Sequence, residues 1–224
     1  MTFFDELISP FVMPNAPTNQ AEFAFGQIFR APVYYPHQLL EIWRPNDVHQ
    51  QLHTATNFNI KSGLQDAFKR NLPYTNPHLQ TDEEFIALRA KKRPVVLIQP
   101  PDHSLKEVKN VSMGMKLARH LCVVAPAFSL EDSVGYQKAT EEFIARVRRL
   151  DYPQFLFVPK GGPLTLDSLV RLDELQSIAI QHLEHTGYTL APEALETFRS
   201  QVSYFIAGLD GGDFGEYRKL LADA

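Results

Sequence analysis

The residues best equipped for chemistry in this 224-residue chain fall into a few small groups. His49-Gln-Gln-Leu-His53 sets two imidazoles at i and i+4, one face of a helix, which is the spacing of a zinc-protease helix. That motif needs a glutamate beside its first histidine. Gln50 holds that place and no third ligand stands out, so exposed polar histidines fit the pair better than metal ligands. His182 and His185, three apart, read the same way. His103 and His120 flank two apolar runs and could serve a site there as acid or base, although nothing in their spacing selects either. Arg146, Arg148 and Arg149 bunch near the end of a helical pattern, where cations complement the helix dipole. Asp210-Gly-Gly-Asp213 lacks the alternating oxygen ligands and closing glutamate of a calcium loop and reads as a flexible turn. Gly161-Gly162 lacks the Lys-Ser/Thr of a phosphate loop. Cys122, inside an apolar run, reads as packing; as the single cysteine it excludes an internal disulfide and a cysteine zinc site. No metal or cofactor is implied.

The elements that must position such groups are short. Phe3–Leu7 is a small helical candidate, and the Pro-interrupted residues 14–20 read as an arm or linker. Residues 26–35 are β-rich, with Pro32 marking an edge or a strand end. From 36 to 92 the chain turns polar. Two start signals predict helices there, Ser62-Gly-Leu-Gln65 running to Leu72, and the capping box Thr81-Asp-Glu-Glu84 running through Phe85, Ile86, Leu88 and Ala90. Two compact β-branched runs follow, Pro94–Ile98 and Leu121–Ala125, patterned as buried strands. Residues 132–150 alternate at helical spacing, 154–158 and 168–172 read as strands, and 192–207 is the best helix, with Pro192 in its first turn and Gly208 as its stop. Short strands, with helices gathered in one insertion and at the end, predict a small bent sheet or barrel.

Composition narrows the function classes. Apolar residues at 44% and charged residues at 21% allow a real core and exclude a disordered tail. No run approaches the roughly 20 apolar residues of a membrane span. The start MTFFDELISPF carries Asp5 and Glu6 and no basic stretch, unlike a secretory signal, so a cytoplasmic location is expected. With 22 basic against 26 acidic residues, any nucleic-acid contact must come from a local patch.

Four segments in order resemble the PemK/MazF family of toxin endoribonucleases. Gly26-Gln27-Ile28-Phe29 is similar to its glycine-led opening strand, and Lys92-Arg93-Pro94-Val95-Val96-Leu97-Ile98-Gln99 to its Arg-Pro followed by an apolar strand. Val123-Val124-Ala125-Pro126-Ala127-Phe128-Ser129 is similar to its strand ending in a hydroxyl-bearing loop. Asp167-Ser168-Leu169-Val170, continuing through Glu174 to Ile178, resembles its Asp-Ser-Val-Val segment before a short hydrophobic helix. The resemblance implies a mainly β fold, an SH3-like barrel over residues 1–224. It adds an N-terminal arm (about 1–25), a partly helical insertion (about 36–92) and a C-terminal helix.

It also implies a homodimer that cuts single-stranded RNA without a metal and is neutralised by an antitoxin. Attack by the adjacent 2′-hydroxyl leaves a cyclic phosphate, so the protein aligns the RNA and stabilises charge on phosphate oxygens. The family's catalytic arginine falls on Arg93, whose planar fork can grip two oxygens. Its threonine position is held by Phe128, which leaves the hydroxyl to Ser129. Lys91, Lys92, Gln27 and Gln99 are the RNA-binding candidates, the lysines through local positive potential. Taken without the family, Arg93 reads as a strand cap or a surface ion pair, and Ser129 as the N-cap of the following helix or a turn hydroxyl. The alternative function is a non-catalytic barrel that binds a protein, an antitoxin or a topoisomerase-like target. A metal enzyme built on His49 and His53 is the third option.

Overall fold

The computed structural model describes residues 2–15, 23–35, 41–45, 58–62, 85–101, 121–132 and 134–223. The chain divides into two compact units, Met1–Val33 with Lys92–Ala224, and Tyr34–Lys91. In chain order the elements are α1 (Phe4–Leu7), β1 (Val12–Pro14), β2 (Gln27–Tyr34), β3 (Glu41–Pro45), β4 (Phe58–Ser62), β5 (Phe85–Ala87), β6 (Ala90–Gln99) and β7 (Leu121–Ser129). There follow α2 (Glu141–Arg148), β8 (Phe155–Val158), β9 (Ser168–Arg171), β10 (Gln176–Ala179), β11 (Glu184–Leu190), α3 (Pro192–Ala207) and α4 (Asp213–Ala222). The fold is mainly antiparallel β with a few helices.

The larger unit is built on one sheet, ordered β1-β11-β2-β6-β7-β9-β8, with β10 also on β7. Its centre is the pair of apolar runs. Val95 faces Pro126, Val96 faces Ala125 and Leu97 faces Val124. Side chains alternate between faces, so Val96, Ala125 and Ala127 enter one core while Val95, Leu97, Cys122 and Val124 enter another. Both faces are buried, which is why these strands read as unbroken apolar runs. Helices α3 and α4 close the first core through Ala194, Phe198, Val202, Phe214 and Leu221. Phe198 alone, fully buried, contributes about 1.5–3 kcal/mol of transfer free energy.

The far edge of β7 has a particular connectivity. β9 pairs with Ala127–Ser129, a 3-10 turn (Leu172–Glu174) interrupts, and β10 then pairs with Leu121–Val124 along the same edge. A second 3-10 turn, Ile180–His182, swings the chain into β11, which pairs with β2. β2, β6, β7 and β10 together contribute Phe29, Ala31, Val33, Val95, Leu97, Cys122, Val124 and Ile178 to one core, joined by Leu183. Pro32 is not on an outer strand, because β2 lies between β11 and β6; the β11 pairing reaches no further than Arg30, and Pro32 lies beyond it.

The smaller unit is, in its described residues, a three-stranded antiparallel sheet ordered β4-β3-β5. The helix expected through Phe85, Ile86, Leu88 and Ala90 is not there. Phe85–Ala87 pairs with Glu41–Trp43 instead, and Ala90 opens β6. Aromatic and β-branched residues gain more from cross-strand pairing than a local capping signal offers. The helix expected after Ser62 lies outside the described residues.

Two further expectations change. The helix predicted from Asp132 begins only at Glu141, capped by the Thr140 hydroxyl, which accepts from the Phe143 amide at 3.2 Å. The residues before it form a tight hairpin, because the Asp132 carboxylate accepts the amides of Val134 (2.8 Å) and Tyr136 (2.9 Å). The segment taken as a flexible turn at 210–213 leads directly into α4, with Gly212 as its N-cap. The terminal helix matches its predicted bounds, and Gly208 ends it at φ +65°. No helix among the described residues is long and apolar enough to cross a membrane.

Candidate functional site

Arg93 enters from the first half of β6. Continuing the β6–β7 register by two residues places it opposite Phe128, and its guanidinium lies 4.5 Å from the centre of that ring. The side chain is half-buried, with Nε shielded from water. Phe128 is therefore a platform for the arginine and only partly a core residue. A second arginine, Arg171 of β9, approaches the same ring at 5.6 Å.

Arg171 is held firmly. Its Nε and Nη2 donate to the two oxygens of Asp173 at 3.0 and 2.6 Å, and Nη1 meets Glu174 at 2.6 Å. The hydrogen bonds it donates to Asp173 hold the guanidinium above its ordinary value, partly offset by burial. Across the β8–β9 pairing, Arg171 sits opposite Phe155 and stacks on it at 5.7 Å. Phe155 touches Tyr152 edge-on at 6.1 Å, and Arg146 of α2 lies 4.6 Å over the Tyr152 ring. Three arginines and three aromatics thus touch in series from β6 across β7, β9 and β8 to Tyr152 and α2.

The remaining predicted residues do not gather around Arg93. Ser129 follows Phe128 in the same strand, so its side chain leaves by the opposite face, beside Ser168. There Lys138 donates to the Ser129 hydroxyl (2.9 Å), the Ser129 carbonyl (3.0 Å) and the Glu131 carbonyl (2.7 Å). Three donors meet three acceptors, so Lys138 clamps the hairpin. Ser129 keeps its own proton to donate, but on the face away from Arg93. It caps no helix.

Lys92 forms an exposed ion pair with Glu184. Gln27 is turned inward, 7% exposed, and its Oε1 accepts the Ala24 amide at 2.9 Å. Gly26 beside it has a left-handed φ of +84°, which favours glycine, and a Cβ there would stand 2.0 Å from the tip of the Leu195 side chain and displace it. Gln99 is exposed at the end of β6, and Lys91 is exposed in the smaller unit. His49, His53, His103 and His120 lie outside the described residues. His182 is exposed, and His185 packs on Phe29 (4.8 Å) and Phe23 (5.7 Å). Among the described residues no group of three metal-ligating side chains occurs.

Sequence reasoning missed Arg171, Phe155 and Tyr152. Arg171 stood within a quoted segment and Phe155 within a predicted strand, but their meeting depends on hairpin register, which composition does not carry. The second basic cluster also resolves into separate roles. Arg148 donates to both Asp5 oxygens at 2.8 and 2.7 Å, anchoring α1, and that bonding raises its guanidinium above the usual value. Arg146 and Arg148 do occupy the last turn of α2, where the dipole favours them. Comparison with protein-family models finds no match to this chain, and comparison with curated proteins finds none either.

Proposed function

We propose that this chain is a PemK/MazF-like protein, an SH3-type barrel that engages single-stranded RNA at Arg93 and cleaves it without a metal. The observation that carries the reading is the Arg93 guanidinium spread over the Phe128 ring on the strand that follows the insertion. A guanidinium carries a planar fork of donors that can grip two phosphate oxygens. The barrel part is supported by the return of the chain from β7 through β10 and a 3-10 turn to β11 on β2, around one shared core. Homodimerisation and an antitoxin partner belong to the same reading.

The cleavage chemistry rests mainly on Arg93. The RNA supplies its own 2′-hydroxyl, and the arginine stabilises the charge that develops on the phosphate. The test is incubation of single-stranded RNA with purified protein and excess chelator. Fragments ending in cyclic phosphate, abolished by Arg93→Ala, are expected. Absence of cleavage by the wild-type protein, or cleavage unchanged by Arg93→Ala, overturns the enzymatic reading.

A second reading, a non-catalytic barrel that binds a protein partner, is favoured by one observation: the Ser129 hydroxyl and Arg93 leave opposite faces of the sheet. It predicts RNA binding no stronger than that of an unrelated acidic protein.

A further inference from the structure

We propose that the 130–138 hairpin and the cavity at its base form a docking surface for a basic peptide segment of a partner protein. The surface uses no residue of the Arg93 site and holds whether or not RNA binds there. A cavity of about 270 Å³ opens between α1, this hairpin, α2 and β8. Leu130, Ile144 and Phe157 give it apolar walls, while Glu131, Gln137 and Asp167 bring polar groups to it. Asp167 gives one oxygen to the Lys160 amide at 2.8 Å. The Glu131 carboxylate and the Gln137 side-chain amide enter no hydrogen bond or ion pair among the described residues. Arg148 also lines the cavity, but Asp5 (2.7 Å) and Glu6 (3.2 Å) both answer its charge, so the carboxylates of Glu131 and Asp167 stay unmatched by it. Among the described residues no three ligating side chains gather to hold a metal. The complement is therefore an extended organic cation, a lysine or arginine whose aliphatic stem lies along the apolar walls.

The tip of the same hairpin extends the surface beyond the cavity. Val134 is 78% exposed and Tyr136 75%. Both stand on an ordered backbone. The Asp132 amide donates to the Tyr136 carbonyl at 3.0 Å and the Lys138 amide to the Leu130 carbonyl at 2.8 Å. The Asp132 carboxylate and the Lys138 ammonium tie down the rest. This order buries neither side chain, so it presents them instead of serving the core. A tyrosine fixed in advance supplies contact area at low entropic cost. Three residues of strand, roughly 10 Å, separate Glu131 from the tip. A free amine would fill the cavity and leave the tip bare, whereas a peptide with one basic and one apolar residue reaches both.

The experiment is fluorescence anisotropy of a short labelled peptide of alternating lysine and leucine, with a glutamate–leucine peptide as control, at several salt concentrations. Tyr136→Ser and Glu131→Gln change side chains that the fold does not use. The wild-type protein is expected to bind the lysine peptide and not the control. Tyr136→Ser weakens binding roughly five- to 30-fold with the salt dependence kept. Glu131→Gln weakens it roughly two- to five-fold and flattens the salt dependence. No binding by the wild-type protein, equal binding of the control, or wild-type-like binding by both variants refutes the surface. Loss in Glu131→Gln without loss in Tyr136→Ser refutes the peptide and leaves a pocket for a small cation. A dimer seen by sedimentation and abolished by Tyr136→Ser assigns the tip to a second copy of the chain and overturns the proposal.

Discussion

Phe128 has two guanidinium groups against one ring, and a double-mutant cycle measures what that arrangement is worth. Phe128→Leu keeps an apolar side chain in the strand and deletes the π face. Cation–π contacts contribute about 0.5–1 kcal/mol when exposed and about 2 kcal/mol when desolvated. For the half-buried Arg93 at 4.5 Å this gives about 1 kcal/mol. For Arg171, farther away at 5.6 Å and shared with Asp173 and Glu174, it gives about 0.5 kcal/mol. Phe128→Leu therefore loses roughly 1.5 kcal/mol, and the double variant loses about 1 kcal/mol less than the sum of Phe128→Leu and Arg93→Met. The coupling is about 1 kcal/mol, which lies outside the additivity of independent sites. Urea denaturation followed by far-ultraviolet circular dichroism reads all four proteins, provided the m-value stays constant. Additive losses, with coupling under about 0.3 kcal/mol, refute the stacked geometry.

Three other outcomes follow from local structure. Gly208→Ala costs about 1 kcal/mol through its left-handed φ alone, because nothing lies within 4 Å of the new methyl, whereas Gly26→Ala adds the Leu195 clash and costs roughly 2–3 kcal/mol. Thermal melts order the two, and equal shifts contradict the packing at Gly26. Backbone hydrogen bonds from Tyr136 and Val134 hold the Asp132 carboxyl below its ordinary value near 3.8. A depressed folded value means the hairpin is fully supported above the ordinary carboxylate range and loses that support as pH falls through the folded value. Amide protection factors at Val134 and Tyr136, corrected for the intrinsic exchange rate at each pH, test this by falling in acid, and Asp132→Ala removes that fall. Burial pushes the Cys122 thiol up, so iodoacetamide labels it only after unfolding; rapid labelling of the native protein contradicts its place in the inner core.

Some elements were legible because local signals and tertiary packing agree. Pro192 and Gly208 bracket α3 in the sequence as they do in the fold, and the run Pro94–Ile98 announces a strand buried on both faces. The capping box at Thr81 misled because Phe85–Ala87 found a strand partner in β3, a non-local fact. The helical stripe from Asp132 misled for the opposite reason. Its first residues are claimed by a side-chain-to-backbone turn, which leaves Tyr136 75% exposed rather than packed. At the site, Arg93 was singled out by resemblance, and its partner Phe128 was named as a substitution. That Phe128 and Ser129 leave opposite faces follows from the period of a strand, but only once the strand is known to extend through residue 129. The arginine–aromatic strip needed the registers of two further pairings.

The most direct measurement is side-chain NMR of the arginine guanidinium groups while single-stranded RNA is titrated in. The account predicts that the Arg93 resonance moves first and saturates with binding, with Arg171 following through the shared ring. The Lys138 clamp around Ser129 should stay unmoved. Shifts confined to the 130–138 hairpin, with Arg93 silent at saturating RNA, contradict it.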